Sequence, residues 1–184
     1  MAKIVCPVWV GYVLLNPLRK LFENPQKLFQ GLVNQGMLIL EAGCGMGYFT
    51  LPLARMVGDK GKVVALDIQE GMLKTLRKRA SRRGLLKRIE TRLTTKGPLP
   101  VSDLVGKVDL VVALHIVHEV EDQFLFLSDL KGTLRPGGHF LLSEPRGHVK
   151  EGEFRETVNT LVSLGLRPVT HYKEFISRTA IFRG

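Results

Sequence analysis

Apolar residues recur along this chain in two alternating rhythms. Short unbroken runs read as buried strands: Met37–Ala42 (MLILEA), Lys62–Asp67 (KVVALD), Lys107–Leu114 (KVDLVVAL) and His139–Glu144 (HFLLSE). Arg88–Leu93 is a weaker strand. Between these runs the apolar positions take helical spacing. Phe49, Leu51, Leu53, Ala54 and Val57 share a face that stops at Gly58. Gln69–Arg83 stops at Gly84, and Glu151–Leu164 is capped by Gly165. Glu121–Arg135 is helical and closed by Pro136, Gly137 and Gly138. Such alternation predicts parallel βαβ units with helices covering both faces of the sheet. The tail, Leu166–Phe182, holds two strand-like pieces in succession, which must run antiparallel as a hairpin. The fold class expected is therefore α/β, a single doubly wound domain of about seven strands, mostly parallel, with an antiparallel C-terminal hairpin.

The residues before Met37 lie outside this pattern. Pro17 and Pro25 each open a short amphipathic helix, with Leu18, Leu21 and Phe22, then Leu28, Phe29 and Leu32, on one side. Trp9 and Tyr12 precede them. Residues 1–36 are read as a helical cap segment and residues 37–184 as the main domain. The apolar start, Met1–Leu15, is shorter than the roughly 20 residues that span a bilayer. No small-residue cleavage site follows it, so neither a membrane anchor nor a leader is expected.

Composition narrows the class without naming a function. Apolar residues make up 45% and charged residues 24%, the balance of a soluble globular domain. Two cysteines, Cys6 and Cys44, are too few for a disulfide framework and stand in no zinc-binding spacing; a reducing, cytoplasmic setting is expected, with no metal. The net charge of +10 allows an acidic partner such as RNA or an anionic membrane. Much of it lies in Lys74–Arg88 (KTLRKRASRRGLLKR), which carries no aromatic residues. Readers of single strands normally interleave them, so the stretch is first read as a solvated helix face.

The candidate chemistry is concentrated at ILEAGCGMGYFT, residues 39–50. Gly43, Gly45 and Gly47 follow the first strand directly. In open α/β sheets ligands bind beyond the carboxyl ends of the strands. A glycine turn there offers backbone amides, a helix N-terminus and close approach, which suits a nucleotide-like ligand. The spacing is ExGxGxG from Glu41, and the third position of a dinucleotide fingerprint falls on Tyr48 rather than on Gly or Ala. The second strand ends in Asp67, whose carboxylate is able to accept both hydroxyls of a ribose. Ile68 follows and is placed to lie flat on an adenine ring.

With these neighbours the chain resembles the class I S-adenosylmethionine-dependent methyltransferases, of the small Rossmann-like kind. LEAGCGMGYFT resembles the family's first motif and VVALDIQEGML its second. VDLVVALHIVHEVED resembles the fourth strand with its loop, and LKGTLRPGGHFLLSEP the turn and strand after it. The resemblance covers about residues 37–182, and the hairpin fits the family's reversed last strand. It implies S-adenosyl-L-methionine as cofactor and S-adenosyl-L-homocysteine as product. The site residues it implies are Gly43, Cys44, Gly45 and Gly47 around the methionine part, Asp67 with Ile68 at the nucleoside, and Glu41, which orders the glycine turn or contacts the cofactor through water. Thr94 or Thr95 would serve at the adenine edge, where the family often has an acid, and Ala113 and Leu114 lie by the cofactor through backbone groups. Cys44 is also readable as merely a small residue in a crowded turn.

Methyl transfer is a displacement at a sulfonium carbon, and the protein mainly aligns donor and acceptor. A base is needed only where the acceptor must lose a proton. His118 is the first candidate, since a neutral imidazole takes a proton near neutral pH, and His115 the second. Glu119, Glu121 and Asp122 read as surface charge and helix start. The Asn/Asp-Pro-Pro-Tyr sequence of enzymes acting on amide or adenine nitrogens is absent; the place reads Ala113-Leu114-His115-Ile116. The acidic cluster of the metal-dependent catechol type and the cysteines of the arsenic type are also missing. The remaining group methylates small molecules, including quinone-type and other lipid-like acceptors, which Trp9, Tyr12, Leu15, Leu21 and Phe22 would cap unless the segment simply packs on the sheet edge. The alternatives are an RNA or protein methyltransferase using the basic surface, a non-catalytic cofactor-binding protein, and a nicotinamide oxidoreductase.

Overall fold

The computed structural model describes residues 23–173 and 177–184. The expected cap residues Trp9, Tyr12, Leu15, Pro17, Leu18, Leu21 and Phe22 lie outside the described residues. Among the described residues seven strands pair, three in one compact unit and four in the other. The chain divides into two compact units, meeting in sequence between Thr95 and Lys96.

In the first unit Asn24 caps helix α1 (Pro25–Phe29): its side chain accepts from the Gln26 amide at 2.9 Å, and Pro25 fills the first helical position. Phe29 is fully buried and meets Phe49 edge to face at 6.0 Å. Strands β1 (Leu38–Ala42), β2 (Lys62–Asp67) and β3 (Ile89–Leu93) pair in parallel, with Ile39 opposite Val63 and Asp67 opposite Leu93. The crossovers are helices α2 (Thr50–Met56) and α3 (Glu70–Ser81). Helix α3 buries Met72, Leu73, Leu76 and Ala80, which fall at helical spacing, and leaves Lys74 and Lys78 exposed. The unbroken apolar runs of β1 and β2 are buried, as expected of strands covered on both faces.

In the second unit β4 (Val108–Leu114) pairs in parallel with β5 (Leu134–Pro145), through helix α4 (Gln123–Thr133). Helix α5 (Glu151–Ser163) leads into the hairpin of β6 (Arg167–Lys173) and β7 (Ser177–Arg183). Strand β7 pairs antiparallel with both β5 and β6. The hairpin expected from the tail is therefore present, with its second strand on the inner side.

One element differs from the sequence reading. Pro136, Gly137 and Gly138 do not stand between helix and strand; they lie inside β5. The helix ends at Thr133, and the pairing slips between Val108↔Leu134 and Leu110↔His139. The stretch is an irregularity that a missing amide and two bare backbones tolerate. Gly137 has φ 75°, and a Cβ on Gly138 would stand 3.0 Å from the carbonyl oxygens of Arg135 and Val108. Among the described residues no helix is long and apolar enough to cross a membrane.

Candidate functional site

The glycine turn leaves β1 at Ala42 and is tied to the end of β2 by its own backbone. The amides of Gly43 and Cys44 both donate to the Leu66 carbonyl at 2.9 Å. The Gly45 amide donates to Oδ2 of Asp67 at 2.8 Å, and the Gly47 amide to the Cys44 carbonyl at 3.0 Å. Oδ1 of Asp67 accepts from the Gln69 amide at 2.9 Å. The expectation that these amides face an anionic ligand is corrected here, since all four have partners within the unit. What the turn presents is close approach.

Its glycines serve different ends. All three have left-handed φ: 72° at Gly43, 51° at Gly45 and 82° at Gly47. A Cβ on Gly47 would stand 2.4 Å from Cδ1 of Leu76, so that glycine lets helix α3 close on the turn. A Cβ on Gly45 would meet nothing within 4 Å, so one face of that residue is open. Tyr48 follows; its hydroxyl donates to the Glu23 carbonyl at 2.7 Å, and its ring meets Phe49 edge to face.

The carboxyl groups of this turn are in a low-polarity setting. Glu41 is buried, and burial pushes its carboxyl up to about 8, with the charge of Asp67 adding to the shift. Oε2 of Glu41 and Oγ1 of Thr50 are buried with no hydrogen-bond partner among the described residues. Burial also raises Asp67, against the Gln69 and Gly45 amides that draw it down. The Cys44 thiol is pushed well up by burial, and further by the charges of Glu41 and Asp67. Beside Asp67, Ile68 is 37% exposed, and the Thr94 amide donates to the Asp67 carbonyl at 2.9 Å. Glu41, Cys44, Gly45, Asp67 and Thr94 thus stand together in one unit, joined by Thr50, whose place at the start of a helix reads in sequence as a cap.

A second cluster stands at the carboxyl ends of β4 and β5. Ala113 and Leu114 are buried, opposite Leu142 and Ser143. His115 then turns the chain with φ 57°, the one non-glycine left-handed residue among the described residues, while its amide donates to the Ser143 carbonyl at 2.8 Å. Its Nε2 lies 3.2 Å from the Ser177 hydroxyl. A tight helical turn, Val117–Glu119, follows. The Val117 amide donates to Oε1 of Glu144 at 2.8 Å, and Nδ1 of His118 lies 2.5 Å from Oε2 of the same carboxylate. The His118 ring also meets His148 edge to face at 5.7 Å. The two candidate histidines therefore have different partners. Asp122 caps α4 by accepting from the Leu125 amide, and Glu121 pairs with Lys96, in keeping with their reading as helix start and surface charge. Glu144 and His148 were missed. Glu144 is an acid ending an apolar strand, as Asp67 is, and that position was the available signal.

A family model described as a methyltransferase domain matches residues 33–172. The chain belongs to this family. It is similar to a "Probable S-adenosylmethionine-dependent methyltransferase" of Mycolicibacterium smegmatis, 33% identical over 127 residues, which are 67% of this chain and 45% of that relative. It is similar to the "Ubiquinone/menaquinone biosynthesis C-methyltransferase UbiE" of Shewanella oneidensis, 31% identical over 109 residues, 59% of this chain and 43% of the relative. The chain thus spans under half the length of these curated relatives. Among solved structures, an S-adenosylmethionine-dependent methyltransferase from Aquifex aeolicus superimposes with a TM-score of 0.86 at 23% identity, covering 97% of this chain and 99% of that one. The fold is thereby that of the class I Rossmann-like methyltransferases, and S-adenosylmethionine is the cofactor that family and fold imply. The residues present suit it: an open glycine face, a buried carboxyl oxygen without a partner, and a carboxylate followed by an exposed apolar side chain.

Proposed function

We propose that this chain is an S-adenosylmethionine-dependent methyltransferase acting on a small-molecule acceptor, of lipid- or quinone-like character. The observation that carries the reading is the lock between Asp67 and the Gly45 amide, which sets a carboxylate beside an open glycine backbone. Each Asp67 oxygen has capacity beyond its amide donor, so the group accepts ribose hydroxyls without releasing the turn. Ile68 packs on the adenine, with Thr94 at its edge. Oε2 of Glu41 accepts a donor from the methionine part, on which Gly43, Cys44, Gly45 and Gly47 close, and the backbone of Ala113 and Leu114 lines the cofactor. The cofactor supplies an activated methyl group on a sulfonium. His118 takes the acceptor's proton where there is one to take; His115, bonded toward Ser177, is the second candidate.

The quinone-like character rests on the similarity to the UbiE relatives and on the apolar residues read as a cap within residues 1–36. Residues 37–184 form the cofactor-binding domain in this reading. Two cysteines fit a reducing, cytoplasmic setting.

One observation favours a second reading, an RNA or protein methyltransferase. Lys74, Lys78 and Arg82 are exposed at intervals of one helical turn, and none is in a salt bridge among the described residues. The test uses labelled S-adenosylmethionine with the purified protein and a fractionated lysate. Label in organic-soluble or small polar material supports the small-molecule reading. Label in nucleic acid or protein overturns it in favour of the second.

A further inference from the structure

We propose that Glu144 is a positioning residue that fixes His118 as its Nδ1–H tautomer, so that Nε2 is the ring nitrogen that receives the acceptor's proton. The inference rests on the reading of His118 as the base and names the atom and the partner through which it acts.

Glu144 ends the apolar run of β5 and is 1% exposed. A carboxyl group buried to this degree is retained against a desolvation cost unless both oxygens find donors. Here they do. Oε1 is held by the Val117 amide at 2.8 Å, and that amide is itself fixed in the turn Val117–Glu119. The Gln123 side chain holds the turn from the other side, donating through Nε2 to the Val117 carbonyl at 2.9 Å. The carboxylate is thus oriented independently of the histidine, and Oε2 faces Nδ1 of His118 at 2.5 Å. An ionised carboxylate only accepts, so Nδ1 carries the proton and Nε2 of the neutral ring carries a lone pair. The edge-to-face contact with His148, at an interplanar angle of 66°, holds the ring plane from the turn that follows β5. The His118 side chain is 23% exposed, against 2% for that of Glu144.

In the step this arrangement serves, the acceptor's proton passes to Nε2 of His118. The electron pair left on the acceptor atom forms the new bond to the methyl carbon, and the pair of the broken carbon–sulfur bond stays on sulfur. The imidazolium that results faces the Glu144 carboxylate, and its proton passes to water when the product leaves.

The test is long-range proton–nitrogen correlation NMR of the histidine rings in the full chain, at a pH high enough to leave them neutral. His118 is assigned by the signal lost in His118→Gln. The expected result is a protonated Nδ1 and a bare Nε2 in the wild type, and a severalfold shift toward the other tautomer in Glu144→Gln. A wild-type His118 that is protonated at Nε2, or an unchanged tautomer ratio in Glu144→Gln, overturns the proposal. If that variant does not fold, the wild-type tautomer decides alone. Calorimetry with S-adenosylmethionine separates this from the parent reading. Binding with the wrong tautomer sinks only the inference; the expected tautomer without binding sinks only the methyltransferase reading.

Discussion

Oδ2 of Asp67 accepts the Gly45 amide at 2.8 Å while Oδ1 accepts the Gln69 amide, so one side chain ends β2, ties down the residue before α3 and holds the glycine turn. Removing it should have two separable effects. Asp67→Ala is expected to weaken S-adenosylmethionine binding at least tenfold by calorimetry. It should also lower folding stability by about 1–3 kcal/mol, from amides left without acceptors. Unchanged affinity would remove Asp67 from the ribose role even if stability falls.

The glycines give a paired test. Gly47→Ala places a methyl group against Leu76 and should cost about 3 kcal/mol of stability, from strain together with overpacking. Gly45→Ala meets no neighbour and should cost only about 1–2 kcal/mol, from its backbone conformation. Its larger effect should be on cofactor affinity, reduced tenfold or more. Equal stability losses in chemical denaturation would refute the division of roles.

The buried carboxyl of Glu41 makes stability depend on pH with a definite sign. Its folded pKa, about 8, lies above the ordinary 4.5, so between those values the unfolded chain has lost this proton and the folded one has kept it. Unfolding then releases a proton, and stability falls as pH rises through this window, by at most about 1.4 kcal/mol per pH unit. Glu41→Gln should remove that part of the slope and be the more stable protein at the upper end. Parallel denaturation curves for both proteins across the window would contradict the assignment.

The basic face of α3 separates the two readings of substrate. Lys74→Glu with Lys78→Glu should leave cofactor affinity unchanged, since both side chains point to solvent. If the acceptor is a small neutral molecule, turnover should also be unchanged from low to high salt. A steep loss of acceptor binding with salt, abolished by the double substitution, would favour the nucleic-acid reading.

Much of this was legible from local pattern. Strand β2 coincides with the apolar run Lys62–Asp67, because a strand buried on both faces has no polar position to blur its ends. Helix α3 ends short of Gly84 by the residues that fray into the closing turn. The Pro136–Gly138 stretch was misread because Pro-Gly-Gly is a helix stop whenever only the preceding residues are known. That it lies inside a strand depends on the facing backbone of Val108, which no local window contains. The histidines were visible as residues near a strand end. Their unequal partners were not, since Glu144 and Ser177 lie far along the chain and meet them only through the pairing of β4, β5 and β7.

The inner place of β7 sets an order on folding. Among the described strands β5 gains its second neighbour from Ser177–Arg183, and β6 pairs with β7 alone. Strand β6 therefore joins the sheet with β7 or after it, never before. A fluctuation that detaches β7 carries β6 away with it and bares the edge of β5 to other chains.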